Sequence, residues 1–348
     1  MRILILKPRH IGDTLLLTPT LAGLRAAYPQ AEIWLLVREG AQAILAGCPH
    51  FDHLFTTAQV EKRERIGRTF LQELKTARTL RRPHFDYVFE LGDNSRGRHF
   101  AIVSRAARKY SVRPAHPPKW WSRFVFDGTS SFDWLRRHRV EKDYLTVHEF
   151  LPLPAEIPPT IFARESSRPW LPAASFTDFA VLQVGTRQEW NRWHREGWLE
   201  AARFLLTRVE RLVLTCGRDP KETAEAAWLQ EKLGATAIST GGEADWPEFA
   251  DLLYRARLFL GPNTAAMHLA AACQCPVVAL FGPTREMLWA PWRAPYRIVH
   301  PPYPVAEDDP REWVWKRRME DIDVSEVLAA CDALLRDAQT HREGCTVG

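Results

Sequence analysis

Residues 258–281 read LFLGPNTAAMHLAAACQCPVVALF, and this stretch decides the fold. Leu258–Gly261 is an apolar run of strand length, Thr264–Cys273 has helical spacing, and Val277–Phe281 is a second apolar run. Strands that are apolar throughout are typical of parallel sheets, because helices cover both of their faces. The stretch therefore predicts a strand–helix–strand unit of a parallel α/β sheet.

The same alternation extends along most of the chain. In the second half we expect further strands at Phe179–Val184, Arg211–Cys216 and Ala237–Ser239, and helices at Gly197–Thr207, Pro220–Leu233 and Trp246–Arg255. In the first half we expect strands at Ile3–Leu6, Glu32–Val37, Phe51–Phe55 and Phe85–Leu91, and helices at Leu15–Ala27, Ala41–Ala46, Phe70–Leu80 and Val140–Leu151. Residues 111–135 lack periodicity and are expected to be irregular. This order predicts a doubly wound parallel sheet in each half.

A proline-rich segment separates the two halves. Six prolines fall within residues 152–175, and proline has no N–H to donate to a helix or a central strand. We therefore predict a linker here, between an N-terminal domain at 1–165 and a C-terminal domain at 176–320. Asp323–Ala338 is expected to form a final amphipathic helix within residues 321–348. A chain of 348 residues fits two domains of about 150 residues.

The composition is that of a soluble globular protein, with 46% apolar and 26% charged residues. No apolar run approaches the roughly 20 residues of a membrane-spanning helix, and the opening MRILILK is too short for a signal peptide. The six cysteines form no metal or disulfide framework, so we expect reduced thiols in a cytoplasmic protein.

The charges divide unevenly between the halves. Residues 1–165 carry 26 Lys and Arg against 17 Asp and Glu, whereas residues 166–348 carry 21 against 25. A basic first half suggests an anionic partner, although an ordinary solvated surface explains the charge equally well.

The start of the predicted helix at Thr264 is a candidate anion site. Small residues in its first turn leave free backbone N–H groups accessible, which suits a phosphate or a pyrophosphate. Thr264 adds a hydroxyl donor, and His268 lies on the same helical face. Alternatively, Asn263 or Thr264 only caps the helix and His268 packs in the core.

Two further segments follow predicted strands. The loop VGTRQEWNRWHREGW at 184–198 brings Arg187, Arg192 and His194 to a strand end, where they could contact a phosphate or simply lie in solvent. The turn KPRHIGD at 7–13 contains Gly12, which permits a tight turn or a close approach of the backbone to a ligand. Asp13 at the end of this turn is either a helix N-cap or a general base that faces a cleft.

Several common motifs are absent from the sequence. It contains no P-loop, no dinucleotide-binding GxGxxG, no GxSxG nucleophile elbow and no HExxH zinc motif. Basic residues are dispersed along the chain, so we expect no nucleic-acid partner.

These segments together resemble glycosyltransferase family 9, the heptosyltransferases of lipopolysaccharide core synthesis. The opening MRILILK followed by Ile11-Gly12-Asp13 is similar to the N-terminal signature of the family, and Gly261–Thr284 is similar to its C-terminal signature. Met319–Leu335 resembles its closing helix. Leu288–Trp292 (LWAPW) is most similar to the branch that adds a third, side-chain heptose.

The resemblance implies a GT-B fold, in which two Rossmann-like domains face each other across a cleft and the last helix packs back on the N-terminal domain. It implies an inverting, metal-independent transfer of L-glycero-D-manno-heptose from ADP-heptose to the anionic lipopolysaccharide core. No cofactor is expected, because ADP-heptose is the donor substrate. The location implied is the cytoplasm, with peripheral contact at the inner membrane surface.

The resemblance also implies residue roles. Asp13 corresponds to the general base of the family, and Lys7, Arg9 and Gly12 are expected near the acceptor. The expected donor-binding residues are Thr186, Arg187, Asn191, Arg192, Glu222, Asn263, Thr264, Ala265, Ala266, Met267 and His268.

Two positions depart from the family pattern. Asn191 stands where a lysine commonly contacts the donor phosphates, and Arg192 could supply that charge from the next position. Asn263 stands where aspartate is usual. These changes keep two alternatives open, namely a family member that uses another nucleotide sugar and a non-catalytic glycan-binding or nucleotide-binding relative.

Overall fold

The computed structural model describes residues 1–58, 66–114, 124–302 and 316–345, and it describes the side chains of all of these except 66–69 and 338–345. The chain divides into two compact units, Met1–Ala163 and Arg164–Gly348. Among the described residues, each unit contains one six-stranded sheet.

The first unit is a parallel sheet with strand order β3-β2-β1-β4-β5-β6. Its strands are β1 (Arg2–Lys7), β2 (Glu32–Arg38), β3 (His53–Thr57), β4 (Tyr87–Glu90), β5 (Arg108–Ser111) and β6 (Gly128–Thr129). Its described α-helices are α1 (Ile11–Leu15), α2 (Thr18–Ala27), α3 (Ile66–Arg81), α4 (Ser95–Val103) and α5 (Arg139–Phe150). This strand order is that of the Rossmann fold.

The second unit repeats this topology, with strand order β12-β11-β10-β7-β8-β9. Its strands are β7 (Phe179–Gln183), β8 (Arg211–Thr215), β9 (Ala237–Ser239), β10 (Phe259–Pro262), β11 (Val277–Leu280) and β12 (Tyr296–Val299). Its described α-helices are α6 (Arg195–Leu205), α7 (Pro220–Leu233), α8 (Trp246–Arg255), α9 (Ala265–Ala272), α10 (Glu286–Trp289) and α11 (Val324–Cys345). The expected doubly wound sheet in each half is confirmed.

The central strands are buried along almost their whole length. Ile3, Leu4, Ile5 and Leu6 of β1 have no exposed surface, and all four residues of β10 are buried. Each fully buried Leu or Ile side chain stabilises the fold by about 1.5–3 kcal/mol relative to an exposed one. The apolar runs that predicted these strands are therefore the residues that form the two cores.

Some elements differ from the predicted ones. The expected helix Leu15–Ala27 corresponds to α2 at Thr18–Ala27, whereas Leu15 ends the separate helix α1, which was not predicted. The expected helix Ala41–Ala46 is a 3-10 turn at Gln42–Leu45. The sequence did not predict α4, α10, β5, β6 or β12. Helix α4 is largely polar, and the side chain of Asn94 starts it by accepting a hydrogen bond from the N–H of Gly97 at 2.8 Å. Such a short polar helix has no apolar stripe to reveal it.

The proline-rich segment is shared between the two units. The hydroxyl of Tyr144 donates to the carbonyl of Pro154 at 2.6 Å, and the N–H of Ile161 donates to Oγ1 of Thr18 at 3.2 Å. These contacts attach residues 152–163 to the first unit, and the second unit begins at Arg164.

Helix α11 belongs to the second unit, whereas the predicted boundaries separated residues 321–348 from it. Its buried face, formed by Val327, Cys331, Leu334 and Leu335, joins the apolar core of that unit. The predicted packing of this segment on the N-terminal domain stays a prediction. None of the described helices is both long enough and apolar enough to cross a membrane.

Close packing between α2 and α5 generates a first prediction. A Cβ atom at Gly23 would lie 2.6 Å from Cε2 of Tyr144, whose side chain is buried. Alanine normally favours a helix over glycine by about 1 kcal/mol, but here steric overlap outweighs that gain. We expect Gly23→Ala to lower the free energy of unfolding by about 1–2 kcal/mol, measured by urea denaturation.

The control is a double-mutant cycle with Tyr144→Leu, which removes the ring. Gly23→Ala should cost much less in the Tyr144→Leu background. An equal cost in both backgrounds would show that the contact with the Tyr144 ring does not limit this position.

Candidate active site

Each sheet reverses its strand order at one point, and the loops at that point carry the candidate residues. In the first unit the reversal lies between β1 and β4, where Leu6 pairs with Glu90. In the second unit it lies between β7 and β10, where Leu182 pairs with Leu260. Ligands of open α/β sheets bind beyond the carboxyl ends of the strands at such switch points. The loops that leave these four strands are therefore the expected binding sites.

Asp13 lies near the switch point of the first unit, on helix α1, and its side chain is 4% exposed. Its Oδ1 is 4.0 Å from Nζ of Lys7, and its Oδ2 is 3.7 Å from Nε of Arg9. Both distances exceed that of a hydrogen bond. Burial raises the pKa of Asp13, but the positive groups of Lys7, Arg9, Lys142 and His10 outweigh burial and hold this pKa below its ordinary value. Asp13 is therefore an ionised, buried carboxylate.

The alternative interpretation of Asp13 as a helix N-cap is wrong. Helix α1 begins at Ile11, and the N-cap position is His10. Gly12 is also inside this helix, so it does not form the tight turn that was expected. A helix of five residues is too short to show periodicity, which is why the sequence suggested a loop here.

Lys7, which was expected near the acceptor, is buried. Its ammonium donates to Oδ2 of Asp143 at 2.5 Å and to the carbonyl of Leu91 at 3.1 Å. The Lys7 ammonium is therefore bonded within the fold, and its expected place near the acceptor stays a prediction. Arg9 is different, because its side chain is 37% exposed while Nη1 donates to the carbonyl of Gly92 at 2.8 Å.

Helix α5 contributes two buried residues that the sequence did not single out. Lys142 lies 3.2 Å from Oδ1 of Asp143 and donates to the carbonyl of Leu91 at 3.0 Å. Burial lowers the pKa of Lys142 to about 8, against the opposing effect of Asp143. No local signal marks this pair as functional, since only the packing of α5 brings it to the end of β1.

Glu90, at the end of β4, is a further buried carboxyl group that the sequence did not predict. Its Oε1 accepts a hydrogen bond from the N–H of Gly92 at 2.9 Å. Within the described part of the chain, its Oε2 has no hydrogen-bond partner. Burial and the nearby Asp93 carboxylate raise the pKa of Glu90 to about 7. The one available signal was a glutamate at the end of an otherwise apolar strand.

At the switch point of the second unit, helix α9 begins after Thr264. Thr264 occupies the N-cap position, but its side chain makes no capping hydrogen bond. Its Oγ1 is buried and has no hydrogen-bond partner among the described residues. Ala265, Ala266 and Met267 form the first turn and leave its N–H groups unobstructed by long polar side chains. A hydroxyl and free N–H groups in one place are suited to bind an anion.

Asn263 and His268 flank this helix start. The side-chain amide of Asn263 donates to Oγ1 of Thr284 at 3.1 Å, so it bridges the ends of β10 and β11. His268 is buried in α9, and its ring lies 6.2 Å from that of Trp289.

The loop after β7 brings Thr186, Asn191 and Arg192 together. Nε of Arg192 donates to the carbonyl of Thr186 at 3.3 Å, which orients the guanidinium across the loop. Asn191 is buried, and its Oδ1 has no hydrogen-bond partner in the described residues. Arg187 is exposed. His194 instead caps α6 by accepting a hydrogen bond from the N–H of Gly197 at 2.9 Å, so it is a structural residue.

Glu222 lies in the first turn of α7 and is buried. Its Oε2 accepts a hydrogen bond from the N–H of Gly217 at 2.8 Å, and its carboxylate lies close to Gly185. The side chain thus sits beneath the loops that follow β7 and β8. Its expected role in binding the donor stays a prediction.

Arg317 is a buried cation that the sequence did not predict. Its Nη2 donates to the carbonyl of Phe281 at 3.2 Å and to Oε1 of Glu286 at 2.5 Å. It therefore holds the end of β11 to α10.

In the described part of the chain, no group of three or more His, Cys, Asp or Glu is arranged to hold a metal ion.

Comparison with known proteins identifies the family. The sequence profile of glycosyltransferase family 9 (heptosyltransferase) matches residues 74–311. The chain belongs to this family. Lipopolysaccharide heptosyltransferase 3 of Escherichia coli strain K12 is 28% identical over 299 residues, which cover 82% of this chain and 83% of that protein. The resemblance of Leu288–Trp292 pointed to the same branch.

Solved structures of the family share the fold. A family 9 glycosyltransferase from Veillonella parvula superimposes with a TM-score of 0.80 and 19% identity, covering 97% of both chains. The Escherichia coli heptosyltransferase WaaC with ADP gives a TM-score of 0.78 and 17% identity, covering 96% of this chain and all of that one. The predicted GT-B class, with two Rossmann-like sheets, is confirmed for this family 9 chain.

The raised pKa of Glu90 generates a prediction about stability. In the unfolded chain the pKa is 4.5, and in the folded protein it is about 7, so the folded state binds the proton more tightly. Stability from this group is therefore present at low pH and is lost as pH rises from about 4.5 to 7. Relative to Glu90→Gln, the free energy of unfolding of the wild-type protein should fall by up to about 3 kcal/mol over this pH range.

The measurement is urea denaturation of both proteins at pH 5 and at pH 7.5. The control is Glu231→Gln, which changes an exposed glutamate. Its free energy of unfolding should match that of the wild type at both pH values. Parallel pH profiles for the wild type and Glu90→Gln would contradict the raised pKa.

Proposed function

We propose that this family 9 chain is an inverting glycosyltransferase that moves L-glycero-D-manno-heptose from ADP-heptose to the inner core of lipopolysaccharide. The observation that carries the proposal is Asp13, a buried, ionised carboxylate at the switch point of the first sheet. The proposal is supported by the similarity to lipopolysaccharide heptosyltransferase 3 of Escherichia coli and to the structure of heptosyltransferase WaaC with ADP.

In the proposed reaction Asp13 is the general base. The acceptor hydroxyl oxygen attacks C1 of the heptose while its proton passes to the Asp13 carboxylate. The bond between C1 and the diphosphate oxygen breaks, and its electron pair leaves with ADP. Attack opposite the leaving group inverts C1 without a covalent intermediate. This chemistry needs an acceptor for one proton and a site for the departing charge, but no metal and no cofactor.

We assign the binding of the departing diphosphate to the second unit. The N–H groups of the first turn of α9 and the hydroxyl of Thr264 would bind the diphosphate, and they need no rearrangement to do so. Arg192, oriented by the carbonyl of Thr186, would add a cation. Glu222 is the proposed ribose contact.

The acceptor is assigned to the first unit. Residues 1–165 carry nine more Lys and Arg than Asp and Glu, which suits a glycan that bears phosphates and carboxylates. Arg9 is the proposed direct contact because its guanidinium is partly exposed beside Asp13. A lipid-anchored acceptor would bring the enzyme to the cytoplasmic face of the inner membrane.

Asn191 and Asn263 favour a second candidate function. Neither carries the charge that is common at its position in the family, so a different nucleotide sugar or a non-catalytic binding role is the alternative. A panel of nucleotide sugars with a truncated lipopolysaccharide core separates these cases. Transfer from ADP-heptose supports the proposal, transfer from another donor supports the first alternative, and binding without any turnover supports the second.

The role of Asp13 predicts the behaviour of Asp13→Asn. We expect transfer to fall by at least about 1000-fold, because the amide cannot accept the proton. ADP affinity, measured by calorimetry, should change less than about threefold, since Asp13 is assigned to the acceptor and not to the nucleotide. Substantial turnover in Asp13→Asn would eliminate Asp13 as the base.

The unpartnered hydroxyl of Thr264 predicts a loss of nucleotide affinity. We expect Thr264→Val to weaken ADP binding about tenfold, because one hydrogen bond to a charged group is removed. Thr236→Val is the matched control, since the hydroxyl of Thr236 already donates to the carbonyl of Leu233. Equal ADP affinities for the wild type and Thr264→Val would argue against a diphosphate at this helix start.

A further inference from the structure

The buried charges around Asp13 form a chain of contacts and not a single ion pair. Lys7 is held by Asp143 at 2.5 Å and by the carbonyl of Leu91 at 3.1 Å. Asp143 also faces Lys142 at 3.2 Å. Lys7 and Asp143 side chains are each 1% exposed, so water does not screen their interaction.

This arrangement keeps Lys7 from closing on Asp13. The Lys7 ammonium lies 4.0 Å from Oδ1 of Asp13, which is 1.5 Å farther than its distance to Asp143. A carboxylate in direct contact with an ammonium is a weaker proton acceptor, because protonation would break that pair. A carboxylate with no nearby cation would instead be neutral in such a buried position.

We propose that Asp143 is a positioning residue that sets the basicity of Asp13 by holding the Lys7 ammonium about 4 Å from the Asp13 carboxylate. Asp143 acts through Lys7 and touches no substrate. At this distance the Lys7 ammonium is close enough to keep Asp13 ionised. It is too far away to occupy the Asp13 oxygen that receives the proton. Its consequence for transfer rests on the proposed function, but its effect on Asp13 does not.

Other charged groups surround this cluster from every packed element. They are Arg9 and His10 after β1, Glu90 at the end of β4, Asp93 and Arg98 in the following loop and α4, and Arg139 and Lys142 on α5. Most of them act on Asp13 in the same way in every variant considered below. Changes at Lys7 and Asp143 therefore test the two ends of one interaction.

The test is direct titration of Asp13 by carbon-13 NMR of the full chain labelled at aspartate carboxyl carbons. The Asp13 signal is assigned by its loss in Asp13→Asn. We expect Asp143→Asn to lower the pKa of Asp13 by about 1 unit, because a negative charge is lost and Lys7 is released toward Asp13. We expect Lys7→Met to raise it by a similar amount, because a positive charge is lost.

Shifts of opposite sign in the pKa of Asp13 for Lys7→Met and Asp143→Asn distinguish positioning from general damage to the fold. If Asp143→Asn unfolds, the double variant Lys7→Met/Asp143→Leu removes the pair together, and such replacements are often tolerated. In that variant the pKa of Asp13 should lie above the wild-type value and no higher than in Lys7→Met. Unchanged values, or shifts of one sign in Lys7→Met and Asp143→Asn, would overturn the proposal.

Kinetics then separate this inference from the proposed function. With saturating ADP-heptose, the acidic limb of the kcat profile should move to lower pH in Asp143→Asn and to higher pH in Lys7→Met, with KM for the donor nearly constant. NMR shifts of the expected signs without transfer by the wild type would support the positioning role and reject the heptose donor. Heptose transfer by the wild type without those NMR shifts would support the proposed function and reject the positioning role.

Discussion

The buried ion pair between Lys7 and Asp143 is the interaction on which the site of the first unit depends. It joins the end of β1 to α5 across 136 residues of sequence. Moving two charges out of water costs several kcal/mol for each ion, so such a pair persists only when its remaining hydrogen bonds are made. The carbonyl of Leu91 accepts hydrogen bonds from both Lys7 and Lys142, and the Lys142 ammonium lies 3.2 Å from Oδ1 of Asp143. The loop after β4 is thereby fixed beside the helix that carries Asp13.

The two units use one topology for two kinds of chemistry. Both sheets have the Rossmann strand order, so each offers a switch point with loops from its first and fourth strands. In the first unit those loops surround buried charged side chains, among them the carboxylate proposed as the general base. In the second unit they present the start of α9, where backbone N–H groups and the Thr264 hydroxyl are suited to an anion. The fold sets where each site lies, and the loop residues determine what the site does.

The sequence predicts the parts that depend on local patterns. Apolar runs predict the buried strands, and the small residues after Thr264 predict a helix start that could bind an anion. The sequence does not predict α1, because five residues show no period, or β6, which is only two residues long. It also does not predict the burial of Lys7, because a lysine that follows an apolar strand is normally exposed. Its partner Asp143 is distant in sequence, and only the tertiary structure brings the two together.

The uneven charge of the chain has a physical meaning only after burial is considered. Lys7 and Lys142 belong to the basic first half, yet both are buried and bonded within the fold, so they do not form part of the exposed basic surface. Lys75, Arg78, Arg81 and Arg82, on or just after α3, are exposed and can attract an anionic partner over a Debye length. Residues 166–348 contain 25 Asp and Glu against 21 Lys and Arg. Net attraction would not concentrate an anionic donor there, so the proposed donor binding relies on individually placed groups such as Thr264 and Arg192.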